Sequence, residues 1–326
     1  MMRRRIGLLS TLVVGLLVWP LAAGTPPTAT RRRIGLLTYA ASALLRDTFQ
    51  QHLHDLGYIE GHNLAVEARD AGGKVERLPD LAAELVQREV EVIVAGGYAA
   101  VRAARQATST IPIVMLVGGD PIGSGLLPSL TRPGGNLTGL AGLASRLSVK
   151  RLALLKAVIP TASHVAVLFD PIDASRTLDW TQLQAASRML GVTLHPLEVH
   201  DVDAIERAFA TMGRERVDAL ITVGDVFTLH HRTLIVTLAA QYQLPAIYEL
   251  NAFVAAGGLI AYGPRFEARI RRVVGYVDQI LHGATPADLP VEQPTTFELV
   301  IHLKAAEALG LTVPPWLLFE ADEVIR

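Results

Sequence analysis

From Arg31 onward the chain switches repeatedly between two hydrophobic periods. Short apolar runs fall at residues 34–37 and 113–117, a strand-like stretch at 90–95 and a further short strand at 136–140, with a looser alternation at 63–68. Runs without polar alternation suit strands covered on both faces. Between them apolar residues recur three and four positions apart: Leu45, Phe49, Leu53 and Leu56, ended by Gly57, and then Leu78, Leu81, Ala82, Leu85 and Val86. These predict amphipathic helices. Further helices are predicted at 98–107 and after Gly123, the latter ending by Pro133-Gly134-Gly135.

The same alternation then begins again. Helices are predicted at 147–159, 177–190, 202–212 and 228–242, and strands at 164–169, 192–199, 217–223 and 245–248. After Gly257-Gly258 come a strand at 259–262 and a long helix striped by Phe266, Ile270, Val273, Val274, Val277, Ile280 and Leu281. The tail carries Pro286, Pro290, Pro294, Pro314 and Pro315, a composition suited to chain crossing a surface between lobes. A repeating strand–helix order implies parallel sheets with helices on both faces. The fold class is therefore α/β, as two similar doubly wound parallel-sheet lobes. Lobe one is expected at 31–142 plus 258–289 and lobe two at 143–257 plus 290–326.

Composition narrows the function. With 30 basic and 31 acidic residues and a net charge of −1, the chain has no basic block, and nucleic acid is not an expected partner. There is no cysteine, which excludes disulfides, thiolate metal sites and a cysteine nucleophile. The N-terminus has a positive start at Arg3-Arg4-Arg5, an apolar run at 6–18 too short for a comfortable membrane span, and a small-residue end at Ala22-Ala23-Gly24. This pattern predicts a secretory signal peptide over residues 1–24 and a leader over 25–30. RRRIGLL occurs at 3–9 and again at 31–37, but only the second copy leads into a domain-like pattern.

No enzymatic signature is present. Gly123-Ser124-Gly125 lacks the earlier glycine of a nucleophile elbow, and no phosphate-binding loop or full dinucleotide fingerprint follows a strand. The ten histidines are scattered; His52 and His54 point to different helix faces, and His230-His231 are adjacent. No catalytic residue, metal or cofactor is expected.

What recurs instead is a set of polar and aromatic groups at predicted strand ends. The clearest is IPIVMLVGGDPIGSGL at 111–126, a buried strand breaking at Gly118-Gly119-Asp120-Pro121. Comparable breaks occur at Thr38-Tyr39, Gly96-Gly97-Tyr98, Asp170, Gly224-Asp225 and Tyr248-Glu249. In open parallel sheets ligands bind beyond the carboxyl ends of the strands. Tyr39, Gly97, Tyr98 and Asp120 are expected to line a ligand site from lobe one, and Asp170, Asp225 and Tyr248 from lobe two. Acids at such positions suit a ligand ammonium, and helix starts suit a carboxylate. Each acid also has a local alternative as a helix cap, and each tyrosine as ordinary packing.

Several longer phrases carry a resemblance: LGYIEGHNLAVEARDAGGKVERLPDLAAELV (56–86), QATSTIPIV (106–114), GDPIGSGL (119–126), RPGGNLTGL (132–140) and LPVEQPTTFELVIHLKAAEALGLTVP (289–314). Together they make the chain resemble ABC transporter substrate-binding proteins of the kind related to tryptophan and tyrosine uptake, from Arg31 to the C-terminus. The resemblance implies a type I periplasmic-binding-protein fold with lobes joined by crossover strands. It implies a periplasmic monomer that binds a small-molecule ligand, an amino acid or an aromatic or carboxylate metabolite, and delivers it to an ABC permease and its ATPase without catalysis. One departure is Gly97-Tyr98-Ala99-Ala100, where the family usually has Gly-Thr-Pro-Ala. A sensor module of the same fold and an exported α/β enzyme are the alternatives.

Overall fold

A computed structural model describes residues 31–326, apart from 41–42, 117–119, 143 and 172–175. The expected signal peptide and leader, the first RRRIGLL copy and the pair Gly118-Gly119 lie outside the described residues. The chain begins with β1 (Arg32–Thr38), α1 (Ala43–Asp55), β2 (Leu64–Asp70), α2 (Leu78–Gln87), β3 (Val92–Gly96), α3 (Tyr98–Ala107), β4 (Ile113–Leu116) and β5 (Leu137–Leu140). The five strands form one parallel sheet in the order β2-β1-β3-β4-β5. The inner strands β3 and β4 are buried at every position, as their unbroken apolar runs require. Edge strand β2 is half-exposed along most of its length.

The chain continues with α4 (Ala144–Val158), β6 (His164–Phe169), α5 (Arg176–Leu190), β7 (Thr193–Glu198), α6 (Val202–Glu215), β8 (Ala219–Thr222), α7 (Val226–His230), α8 (Arg232–Gln241), β9 (Ala246–Tyr248), α9 (Asn251–Ala255) and β10 (Ile260–Pro264). It ends with α10 (Phe266–Leu281), β11 (Phe297–His302), α11 (Leu303–Ala308), α12 (Pro315–Glu320) and β12 (Glu323–Ile325). The second sheet runs β12-β11-β10-β9-β8-β6-β7. It is parallel except where β10 meets β11. Pro196 lies in β7, at the sheet edge, where a missing N–H costs no ladder bond. The molecule is thus two doubly wound α/β lobes, and no helix among the described residues is long and apolar enough to cross a membrane.

The chain passes between the sheets three times: from β5 to α4, from β10 to α10, and from α10 back to β11. Helix α10 packs on β3, β4, β5 and α1, although the strand feeding it belongs to the other sheet. The sequence pattern assigns 258–264 to lobe one, but β10 is hydrogen-bonded between β9 and β11. Gly257, at φ 104°, closes the turn after α9 and does not mark a change of lobe. The crossings are tied together: the Glu292 N–H donates to Gly139 O at 3.0 Å, and the Ala141 N–H donates to Glu292 O at 2.9 Å. Arg272 of α10 holds the Glu292 carboxylate through two bonds of 2.7 and 2.6 Å.

Three further elements differ from the sequence pattern. The helix expected after Gly123 is a set of turns, in which the Ser124 N–H donates to Asp120 O and the Gly125 N–H to Ile122 O. Pro121 and the glycines favour such turns over helix propagation. The helix expected over 228–242 is two helices broken at His231, whose φ and ψ are −91° and 15°. The proline-rich tail holds β11, buried along most of its length, and the edge strand β12 in addition to a crossing segment.

Candidate functional site

The carboxyl ends of the parallel strands in both sheets converge on one cavity of about 80 Å³. From the second sheet it receives Asp170 after β6, Gly224 and Asp225 after β8, and Glu249 after β9. From the first it receives Tyr39 after β1, Gly97 and Tyr98 after β3, and Leu116 at the end of β4. Helix α10 contributes Phe266 and Arg269 from its first turn. Apolar walls are completed by Leu45, Val226, Leu229 and Leu250.

The acidic side is built with little tolerance. Asp170 and Glu249 are 3% and 5% exposed. A Cβ on Gly224 would lie 2.3 Å from Glu249 Oε2, and one on Gly263 would lie 1.9 Å from the Glu249 carbonyl. Glycine at both positions leaves the slot in which Glu249 sits. Behind it Arg151, fully buried, donates through Nε to Tyr262 O at 2.7 Å and places Nη2 3.9 Å from Glu249 Oε2. Asp225 is the N-cap of α7 in a capping box: its Oδ1 accepts the Thr228 N–H at 2.7 Å, and its own N–H donates to Thr228 Oγ1 at 3.1 Å.

The opposing side is aromatic and rich in helix starts. Tyr39 is 3% exposed, and among the described residues its hydroxyl has no hydrogen-bond partner. Burial, and then the negative charges of Asp170 and Asp225, hold its phenol above the ordinary value, so it remains an O–H donor. Gly97, at φ 89°, is the N-cap of α3, where no side chain caps the helix. A Cβ there would be 3.4 Å from Val226 Cγ2, so the two lobes approach closely at this point. The Tyr98 hydroxyl donates to Ser124 O at 3.1 Å, which fixes its ring against the lobe-one wall. Helix α10 also starts without a side-chain cap. Burial lowers the pKa of Arg269, and attraction to Glu249 opposes that shift.

Five of the seven expected positions, Tyr39, Gly97, Tyr98, Asp170 and Asp225, therefore share one cavity. Asp120 and Tyr248 do not line it. Asp120 turns its Oδ1 to the Ile122 N–H at 2.9 Å and organises the turn that carries Ser124. Tyr248 is 1% exposed and stacks on Phe253, with ring centroids 4.8 Å apart, in the helical layer. Its neighbour Glu249 takes the position at the strand end, because successive side chains of a strand face opposite ways. Glu249 is legible as part of the Tyr248-Glu249 break. Arg269 carries no comparable signal, since only the crossing from β10 to α10 brings its helix to the cavity.

Residues 36–325 match the family model described as ABC transporter substrate binding protein. The chain belongs to that family. As a substrate-binding protein it is 24% identical over 264 residues to the tyrosine-binding protein of Clostridioides difficile, covering 81% of this chain and 75% of that one. The ABC domain from Streptococcus pneumoniae in complex with L-Trp superposes with a TM-score of 0.81 at 25% identity, over 90% of this chain and all of the other. A conserved domain protein from Vibrio cholerae gives 0.83 at 25% identity, over 90% and 99% of the two chains. The substrate-binding protein thus has the type I periplasmic-binding-protein fold, in a family whose members bind solutes.

Proposed function

We propose that the chain is the extracytoplasmic solute-binding component of an ABC uptake transporter. It takes an amino acid, most simply an aromatic one, into the cleft between its lobes and delivers it to a membrane permease driven by an ATPase. The observation that carries this reading is the composition of the cavity, with three carboxylates and one arginine set among apolar and aromatic walls. An α-ammonium pairs with Asp170, Asp225 or Glu249. An α-carboxylate meets Arg269 and the uncapped N–H groups at the starts of α3 and α10, where the helix dipoles are positive. The Tyr39 hydroxyl donates to the ligand, and Tyr98, Phe266 and Leu229 face its side chain. The tyrosine-binding and L-Trp-bound relatives support the ligand class.

The lobes already approach at Gly97 and Val226 around a cavity of about 80 Å³. Admission of an aromatic amino acid therefore involves hinge opening and reclosure. The chain acts as an exported monomer, carries ligand without transforming it, and needs no cofactor. The test is a thermal-shift series with L-tyrosine, L-tryptophan, other amino acids and aromatic carboxylates, followed by calorimetry. A ligand that binds only the folded state raises the melting temperature with concentration. A saturable rise with at least one amino acid is expected. No rise with any member of the panel would overturn the ligand class.

A further inference from the structure

At the edge of the second sheet, where His164 stands at the opposite end of β6 from Asp170, three titratable side chains form a chain of contacts. His164 begins β6, and His195 lies on the neighbouring edge strand β7, where Ala166 pairs with His195 in parallel register. His164 Nδ1 and His195 Nε2 are 3.0 Å apart. The other ring nitrogen of His195, Nδ1, is 3.1 Å from Oε2 of Glu215, the last residue of α6. The ring of His164 is open to solvent and that of His195 partly so.

We propose that His164 and His195 form a chelating site for a divalent transition-metal ion of the copper–nickel–zinc group. Glu215 accepts hydrogen bonds only, so a neutral His195 donates Nδ1–H to it and presents Nε2 as a lone pair. A carboxylate on the far nitrogen of a histidine is the arrangement that orients metal-ligating imidazoles and raises their basicity. Metal–imidazole bonds of about 2.0–2.1 Å place two ligating nitrogens about 2.9 Å apart at a right angle and about 3.4 Å apart at a tetrahedral one. The observed 3.0 Å is nearest the right-angled case, which suits tetragonal Cu(II) or Ni(II). Binding requires His164 to move its ring proton from Nδ1 to Nε2 and both rings to rotate until their lone pairs converge on the ion. Water completes the coordination, since among the described residues no three candidate ligands converge on one point. The ion would join the edge strand to its neighbour at a place the chain order separates by 31 positions.

The test uses the full chain without an affinity tag, titrated calorimetrically with Cu(II), Ni(II) and Zn(II) salts in a non-coordinating buffer. One ion per chain is expected, with affinity falling in the order copper, nickel, zinc and with a metal-dependent rise in melting temperature. His164→Gln and His195→Gln should each weaken the copper site at least tenfold. Glu215→Gln should weaken it about tenfold, as loss of an outer-shell carboxylate does. His62→Gln and His200→Gln, which alter exposed histidines elsewhere, should leave it unchanged. Melting curves without metal verify that each variant is folded. Electron paramagnetic resonance of the copper complex should show two coordinated nitrogens in the parent and one in either histidine variant. Absence of saturable binding, or equal binding by the parent and both histidine variants, would overturn the site.

Discussion

Asp225 separates a capping role from a binding role, and two substitutions divide them. In Asp225→Asn the side-chain oxygen still accepts the Thr228 N–H, now 2.7 Å from Oδ1. Asparagine caps helices about as well as aspartate. Because α7 has only five residues, the lost charge–dipole attraction is small, and stability should change by less than about 1 kcal/mol. In Asp225→Ala the cap is lost as well, at a cost of about 1 kcal/mol. For a chain of this size that lowers the melting temperature by about 1.5–2 °C. The charge that would pair with the ligand is lost in both variants. Loss of a charge-assisted partner costs about 1.5–3 kcal/mol, or about ten- to a hundredfold in affinity. Thermal melts without ligand should therefore separate alanine from asparagine, whereas calorimetry with the best amino acid should show both variants weakened to a similar degree. If Asp225→Asn binds as tightly as the parent, Asp225 is a cap only, and the ammonium belongs to Asp170 or Glu249.

Gly139 has φ 125°, and a Cβ there would lie 2.3 Å from Met115 O, so Gly139→Ala should destabilise the chain by about 3 kcal/mol or more in urea titrations; a change under about 1 kcal/mol would contradict the close approach of β5 to β4. Arg272 holds the Glu292 carboxylate below its ordinary pKa, against the effect of burial. The stability gained from Glu292 is therefore complete above its unfolded pKa of about 4.3 and is lost as pH falls through the lower folded value. Glu292→Gln should cost about 0.5–1 kcal/mol at pH 7, given the partial exposure of both side chains, and progressively less as the pH falls through the lowered folded-state value; a pH-independent difference would refute this linkage. Small-angle scattering at ligand saturation should report a smaller radius of gyration than without ligand, and identical curves would count against hinge closure.

The pattern of apolar positions revealed those parts of the fold that depend on local burial. β3, β4, β6 and β8 read directly as unbroken apolar runs because helices cover both faces of each sheet. β11 was hidden because its short apolar run sits in a tail dominated by Pro290, Pro294 and Pro314, and its antiparallel pairing with β10 depends on the third crossing. The site shows the same division. Tyr39, Gly97, Tyr98, Asp170 and Asp225 are found where strands end, and parallel topology alone gathers strand ends together. Asp120 satisfies its own turn and Tyr248 faces the helical layer, distinctions set by one-residue differences in backbone direction. Arg269 and the His164–His195 pair come from crossing connections and strand register, which no short motif records.

The most direct test is a crystal structure of the chain saturated with the amino acid that gives the largest thermal shift. The proposed function predicts density between the lobes, with the ligand ammonium within hydrogen-bond distance of Asp170, Asp225 or Glu249 and its carboxylate at Arg269 or the start of α3. Density elsewhere, or a cleft holding only water at saturating ligand, would contradict it.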